Sequence, residues 1–105
     1  MSQKQVINII KKYIALLNAS GIPVHKAFLY GSYRNDNATK DSDIDILVVS
    51  KAFEKNDKLR AKAWTLTENI DVRIEPYTIG LQKFLTDEVS PLLQIIRKEG
   101  LEIKV

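Results

Sequence analysis

No cysteine occurs in the 105-residue sequence, which removes disulfides, thiolate metal sites and cysteine nucleophiles together. A reducing compartment is compatible with that absence, and the cytoplasm is the expected location. Long apolar runs are missing as well. Lys4, Lys11 and Lys12 interrupt the hydrophobic residues of the N-terminal segment, so neither a signal-peptide core nor a membrane span is expected. Histidine is nearly absent: His25 stands alone, with no second ligand type near it, which favours a surface or strand-start role over catalysis. A strong charge excess is also lacking. The formal net charge of +3 does not point to bulk nucleic-acid binding, although it would not repel an anionic nucleotide. Repeats, low-complexity tracts and linkers are not found, and the length suits one domain over residues 1–105.

What is present reads as a mixture of helices and strands, an α/β (α+β) chain. From Gln3 to Asn18, Val6, Ile7, Ile10, Tyr13, Ile14 and Leu17 recur at three- and four-residue spacings, the mark of an amphipathic helix. Gly21 and Pro23 stop it, and His25 to Tyr30 reads as a short buried strand. After a polar, turn-rich stretch from Gly31 to Ser42, the segment Asp43–Val49 is β-branched and apolar apart from two aspartates, which predicts a central strand. Leu59, Ala63 and Leu66 suggest a helical face between Phe53 and Glu68, with Phe53 and Trp64 expected in the core. Ile70 to Tyr77 returns to strand character, with Pro76 expected to end the ladder. Thr78 is a candidate helix cap, Ser90-Pro91 a second helix start, and Gly100 a stop before an edge strand from Leu101 to Val105.

The chemistry concentrates between residues 30 and 75. Side chains alternate along a strand, so Asp43 and Asp45 project from one face and Ile44, Ile46 and Val48 from the other. Two carboxylates that close on an apolar strand resist joint ionisation unless a cation neutralises them. Mg²⁺ suits the pair, because it takes oxygen ligands and is commonly held by one or two carboxylates plus substrate phosphates. A third acid is expected from the following strand. There Asp71 is the first choice and Glu75 the reserve, in the role of general base or of ligand to a second metal ion. Gly31-Ser32 directly follows a strand, where glycine lets backbone amides approach a phosphate and the serine hydroxyl adds a donor. Lys58, Arg60 and Lys62 read as a solvated basic face, and Tyr33 and Tyr77 as packing or loop-anchoring residues.

The segment GSYRNDNATKDSDIDILVV resembles the nucleotidyltransferase superfamily signature: Gly-Ser, ten intervening residues, then Asp-x-Asp in a hydrophobic strand, matched by Gly31, Ser32, Asp43 and Asp45. The element order resembles that of the minimal nucleotidyltransferases of the DNA polymerase beta-like superfamily. The resemblance implies a small mixed sheet backed by helices and transfer of a nucleoside monophosphate, commonly from ATP, with one or two Mg²⁺ ions. It makes Asp43, Asp45 and Asp71 the catalytic and metal-binding set, and Gly31, Ser32 and Arg34 the nucleotide-binding set. One departure stands out: where many members continue Ala-Arg-Gly, this chain has Arg34-Asn35-Asp36, which puts the candidate arginine one residue early. Members of this class often pair with HEPN-domain proteins, which implies an antitoxin role with a toxin tyrosine as acceptor. The rival expectation is a catalytically weak or inactive subunit of the same fold that binds a helical partner. Oligomeric state stays open.

Overall fold

In the computed structural model, residues 1–35, 37–39 and 41–105 are described. The first helix, α1 (Gln3–Ala19), begins in a capping box, with Ser2 accepting from the Gln5 amide and the Gln5 side chain reaching back. Val6, Ile10, Tyr13, Ile14 and Leu17 are buried, the stripe that the spacing predicts. Gly21, in the left-handed region at φ 87°, turns the chain out of α1. Strands β1 (Lys26–Tyr30) and β2 (Ile44–Val49) follow, then a 3₁₀ turn at Lys51–Phe53 and helix α2 (Asp57–Leu66). After β3 (Ile74–Ile79) come α3 (Leu81–Thr86), α4 (Pro91–Glu99) and β4 (Leu101–Ile103).

The four strands form one mixed sheet in the order β3-β2-β1-β4. Its β1 pairs antiparallel with both β2 and β4, whereas β2 and β3 run parallel, joined by the α2 crossover. Each face has its own core. On one face, Ala27, Leu29, Ile44, Ile46, Val48 and Ile74 pack with the α1 stripe and Ala63 of α2. On the other, Leu47, Val49 and Ile79 pack with Phe84 of α3 and with Leu93 and Ile96 of α4. Burial on both sides explains the near-continuous apolar run of β2. Two side-chain ties clamp the layers: the Tyr13 hydroxyl donates to the Ala63 carbonyl at 2.5 Å, and Arg60 donates to the carbonyls of Phe53 and Thr78.

Several details correct the sequence reading. The strand expected from Ile70 starts only at Ile74, because Thr67, Ile70 and Asp71 close a 3₁₀ turn through their backbone. Pro76 lies inside β3 rather than ending it. Ile44 N–H donates to the Arg73 carbonyl and Ser50 N–H to the Ile79 carbonyl, so residues 73, 75, 77 and 79 face β2. Pro76 therefore turns its donorless nitrogen toward the open edge, where a strand proline does no harm. Thr78 is strand, and Gly80 is the residue that precedes α3. Trp64, expected in the core, is 49% exposed, since Ala63 takes the inward position and the next residue is swung about 100° around the helix. Phe53 and Tyr33 are buried, Ser90 caps α4 with Pro91 at its first turn, and Gly100 ends that helix. Among the described residues no helix is long and apolar enough to cross a membrane.

Candidate active site

The C-terminal end of β1 and the N-terminal ends of β2 and β3 lie side by side, and the acids gather there. Asp43 directly precedes β2 and Asp45 is its second residue, so the two share a face one pleat apart. In the parallel register Asp45 lies opposite Glu75 of β3, and in the antiparallel register it lies opposite Tyr30 of β1. The sheet thus presents Tyr30, Asp45 and Glu75 in a row, with Asp43 beside them at the strand end.

Gly31 completes the corner. Its φ of 75° is left-handed, and a Cβ built on it would lie 2.3 Å from the Asp45 Oδ2 atom. Only glycine meets both demands, the backbone angle and the contact with the carboxylate. The Gly31 carbonyl accepts from the Arg34 and Asn35 amides, and the Ser32 carbonyl from the Asn37 amide. That turn leaves the Ser32 and Tyr33 amides at its leading end. Tyr33 is buried, with its hydroxyl donating to the Thr39 carbonyl at 3.2 Å, and this anchors the loop from inside.

The electrostatics match the crowding. Burial raises the Asp45 carboxyl above its ordinary value, and the Asp43 charge raises it further. Desolvation raises Glu75 as well, joined by the charges of Asp43 and Asp45. Burial and the charges of Asp45, Glu75 and the neighbouring Tyr77 push the Tyr30 phenol up to about 12. Among the described residues, no group of three or more His, Cys, Asp or Glu side chains forms a ready metal cage. The donor set nevertheless fits Mg²⁺, which takes hard oxygen ligands from one or two carboxylates and draws the rest from substrate and water. Neutralising Asp43 and Asp45 is the work such an ion would do here.

The residues singled out from sequence divide clearly. Gly31, Asp43 and Asp45 come together as the spacing requires, with Ser32 at the head of the turn. Asp71 stands apart: it lies in the turn before β3, not on the strand, and its carboxylate holds Arg73 at 2.6 Å and 3.0 Å while accepting from the Arg73 amide. Those bonds hold Asp71 below the usual carboxylate range. The expectation that Asp71 projects beside Glu75 from one strand fails for that reason, and Glu75 is the acid in register with Asp45. Arg34 donates through Nε to the Glu99 carbonyl at the end of α4, at 2.8 Å. Asp36, the last residue of the departing Arg34-Asn35-Asp36 segment, lies outside the described residues. Tyr30 was missed, although its place at the end of a strand just before Gly31 is a signal the alternation rule can use. Lys58, Arg60 and Lys62 do not form a uniformly solvated face, since Arg60 is the clamp described above and Lys62 donates to the Ser20 carbonyl. His25 sits at the start of β1, where its amide donates to the Val49 carbonyl; its buried Nδ1 has no hydrogen-bond partner among the described residues.

Comparison with known proteins gives the same answer as the corner of acids and glycine. The chain is similar, over 95% of its length and 80% of the other's, to a solved structure from Sulfolobus solfataricus of a protein ascribed to the nucleotidyltransferases, with a TM-score of 0.63 at 17% identity. At that identity the likeness speaks for the fold. No curated protein sequence matches the chain significantly. A family model, the nucleotidyltransferase domain, matches residues 7–102, almost the whole chain, and the protein belongs to that family.

Proposed function

We propose that this chain transfers a nucleoside monophosphate, AMP from ATP, to an acceptor hydroxyl in a Mg²⁺-dependent reaction. The observation that carries the reading is the row formed by Asp45, Glu75 and Asp43 against a left-handed Gly31. Asp43 and Asp45 would hold the divalent ion, which would neutralise phosphate charge and supply Lewis acidity. The leading amides of the Gly31-Ser32 turn and the Ser32 hydroxyl donate to the triphosphate, the donor pattern that stabilises a departing pyrophosphate. Glu75, rather than Asp71, takes the place of third acid and receives or orients the acceptor proton, because it stands in register with Asp45 while the Asp71 carboxylate is occupied by Arg73. Arg34 belongs to the nucleotide side of the site through the turn it anchors. The finer reading, an antitoxin in the cytoplasm that modifies a tyrosine of a HEPN-domain partner, is supported by the family resemblance.

The test is incubation of the purified chain with ATP, Mg²⁺ and its genomic neighbour's product, followed by intact-mass measurement. A gain of one or more nucleoside monophosphates on the neighbour is expected, lost in Asp43→Ala. Glu75→Gln should abolish transfer and Asp71→Asn should spare it; the reverse pattern would return the third-acid role to Asp71. The engagement of Arg34 by α4 favours a second reading, a silent subunit that only docks on a partner. Thermal stabilisation by ATP with Mg²⁺ but not by ATP with EDTA separates the two, because a ligand that binds only the native state raises its stability by mass action.

A further inference from the structure

Beside the row of acids the surface opens into a groove of about 350 Å³ between the end of α2 and the start of β3. Half-exposed Trp64 and exposed Val72 line it together with Glu68 and Glu75, and no lysine or arginine is among its lining residues. Arg73, next to Val72, is bound to the Asp71 carboxylate, so that neighbouring pair adds no net charge. The groove is therefore acidic and partly apolar in a chain whose overall charge is positive. A triphosphate or an RNA backbone would be repelled there, whereas a cationic side chain finds two carboxylates and an indole face.

The same edge does not invite an added strand. Of the residues that face outward from β3, Ile74 spends its amide on the Asp71 carbonyl, Pro76 has no amide, and the Thr78 carbonyl is taken by Arg60. With those groups missing or taken, the edge offers an incomplete backbone ladder, which favours recognition through side chains. Glu75 belongs both to the groove and to the row of acids, so an occupant of the groove lies next to the place of chemistry.

We infer that this groove is the acceptor subsite, and that it takes a basic polypeptide segment carrying the hydroxyl to be modified. The assignment rests on the transferase reading. Lysine or arginine beside the acceptor residue contacts Glu68 and Trp64, which sets the hydroxyl at Glu75. In the transfer the acceptor oxygen bonds to the α-phosphorus of the nucleoside triphosphate, the bond to the bridging oxygen breaks, pyrophosphate leaves with that electron pair, and the hydroxyl proton goes to Glu75.

Trp64 is the chain's single tryptophan, so its fluorescence reports on the groove directly. The full chain is titrated with a short alternating lysine-tyrosine peptide, its glutamate-tyrosine counterpart and a uridine oligonucleotide, with excitation confined to the indole, while transfer to each from labelled ATP is followed in parallel. The lysine peptide should give a saturable, salt-weakened signal and the other two none. Glu68→Lys, on an exposed turn, should weaken that binding about tenfold without loss of helical circular dichroism. Peptide binding with no transfer in the native chain would overturn the catalytic reading and leave the groove assignment standing. Absence of a saturable signal, equal binding of the acidic peptide or oligonucleotide, or undiminished affinity in folded Glu68→Lys would overturn the groove assignment itself.

Discussion

Replacing Asp45 by asparagine should make the metal-free protein more stable, although it removes a residue from the heart of the site. Asp45 faces Glu75 across one inter-strand spacing, about 4.8 Å, and Asp43 lies one pleat along, about 6.7 Å away. In a water-like dielectric those repulsions are about 0.9 and 0.6 kcal/mol. Salt roughly halves each, while the partial burial of Asp45 strengthens both, so the substitution should gain about 1 kcal/mol. In a domain of this size that corresponds to a rise in Tm of about 5 °C. The sign agrees with the titration. Asp45 and Glu75 are both raised in the folded state, so their contribution is fully present below the unfolded values, about 3.9 and 4.3, and is lost as pH rises through the raised ones. At neutral pH the folded protein carries the repulsion, and the neutral asparagine relieves it. The assay is a thermal melt at pH 7 with EDTA and again with Mg²⁺ and ATP. The native chain should gain stability from Mg²⁺ with ATP, and Asp45→Asn should start higher and gain little. A lower Tm for Asp45→Asn in EDTA, or an undiminished gain with metal, would refute the reasoning.

Gly31→Ala should lower stability by about 2 kcal/mol, from the left-handed angle and the displaced Asp45 carboxylate, and abolish the Mg²⁺-linked thermal shift; denaturant titration and the same melts check both. Arg60→Met should cost about 2 kcal/mol in a urea titration, because it leaves the Phe53 and Thr78 carbonyls without their donor and loses the stacking of the guanidinium, 6.0 Å from the Phe53 ring. Asp71→Asn should destabilise the protein at neutral pH, with the difference fading as pH falls below about 4, since a depressed folded-state titration gives stability that is lost on acidification. Melts of the two proteins across pH 3 to 7 would show the curves converging.

Much of the architecture could be read from residue order because its signals are local. The α1 stripe, the Ser90-Pro91 start of α4 and the stop at Gly100 each depend on residues adjacent to the feature they define. The alternation in β2 likewise put Asp43 and Asp45 on one face and Ile44, Ile46 and Val48 in the core. What escaped depends on pairing. Asp71 and Glu75 look equivalent on a strand extended back to Ile70, and only the 3₁₀ closure at Thr67–Asp71 and the grip of Arg73 separate them. Pro76 reads as a strand breaker until β3 proves to be an edge strand with its amide positions alternating outward. Tyr30 gains its place only from the antiparallel register that sets it opposite Asp45. Trp64 shows the limit of composition: a large aromatic residue reads as core, yet one helical step from Ala63 carries it to the surface.

The most direct test of the central claim is retention of Mn²⁺ by the protein in equilibrium dialysis with and without ATP, in which the Mn²⁺–ATP complex itself passes the membrane and only protein-bound metal is held back. The native chain should take up the ion only with ATP present, Asp43→Asn and Asp45→Asn should each abolish the uptake, and Asp71→Asn should leave it intact. Uptake that survives in both site variants, or no ATP-dependent uptake by the native chain, would contradict the account.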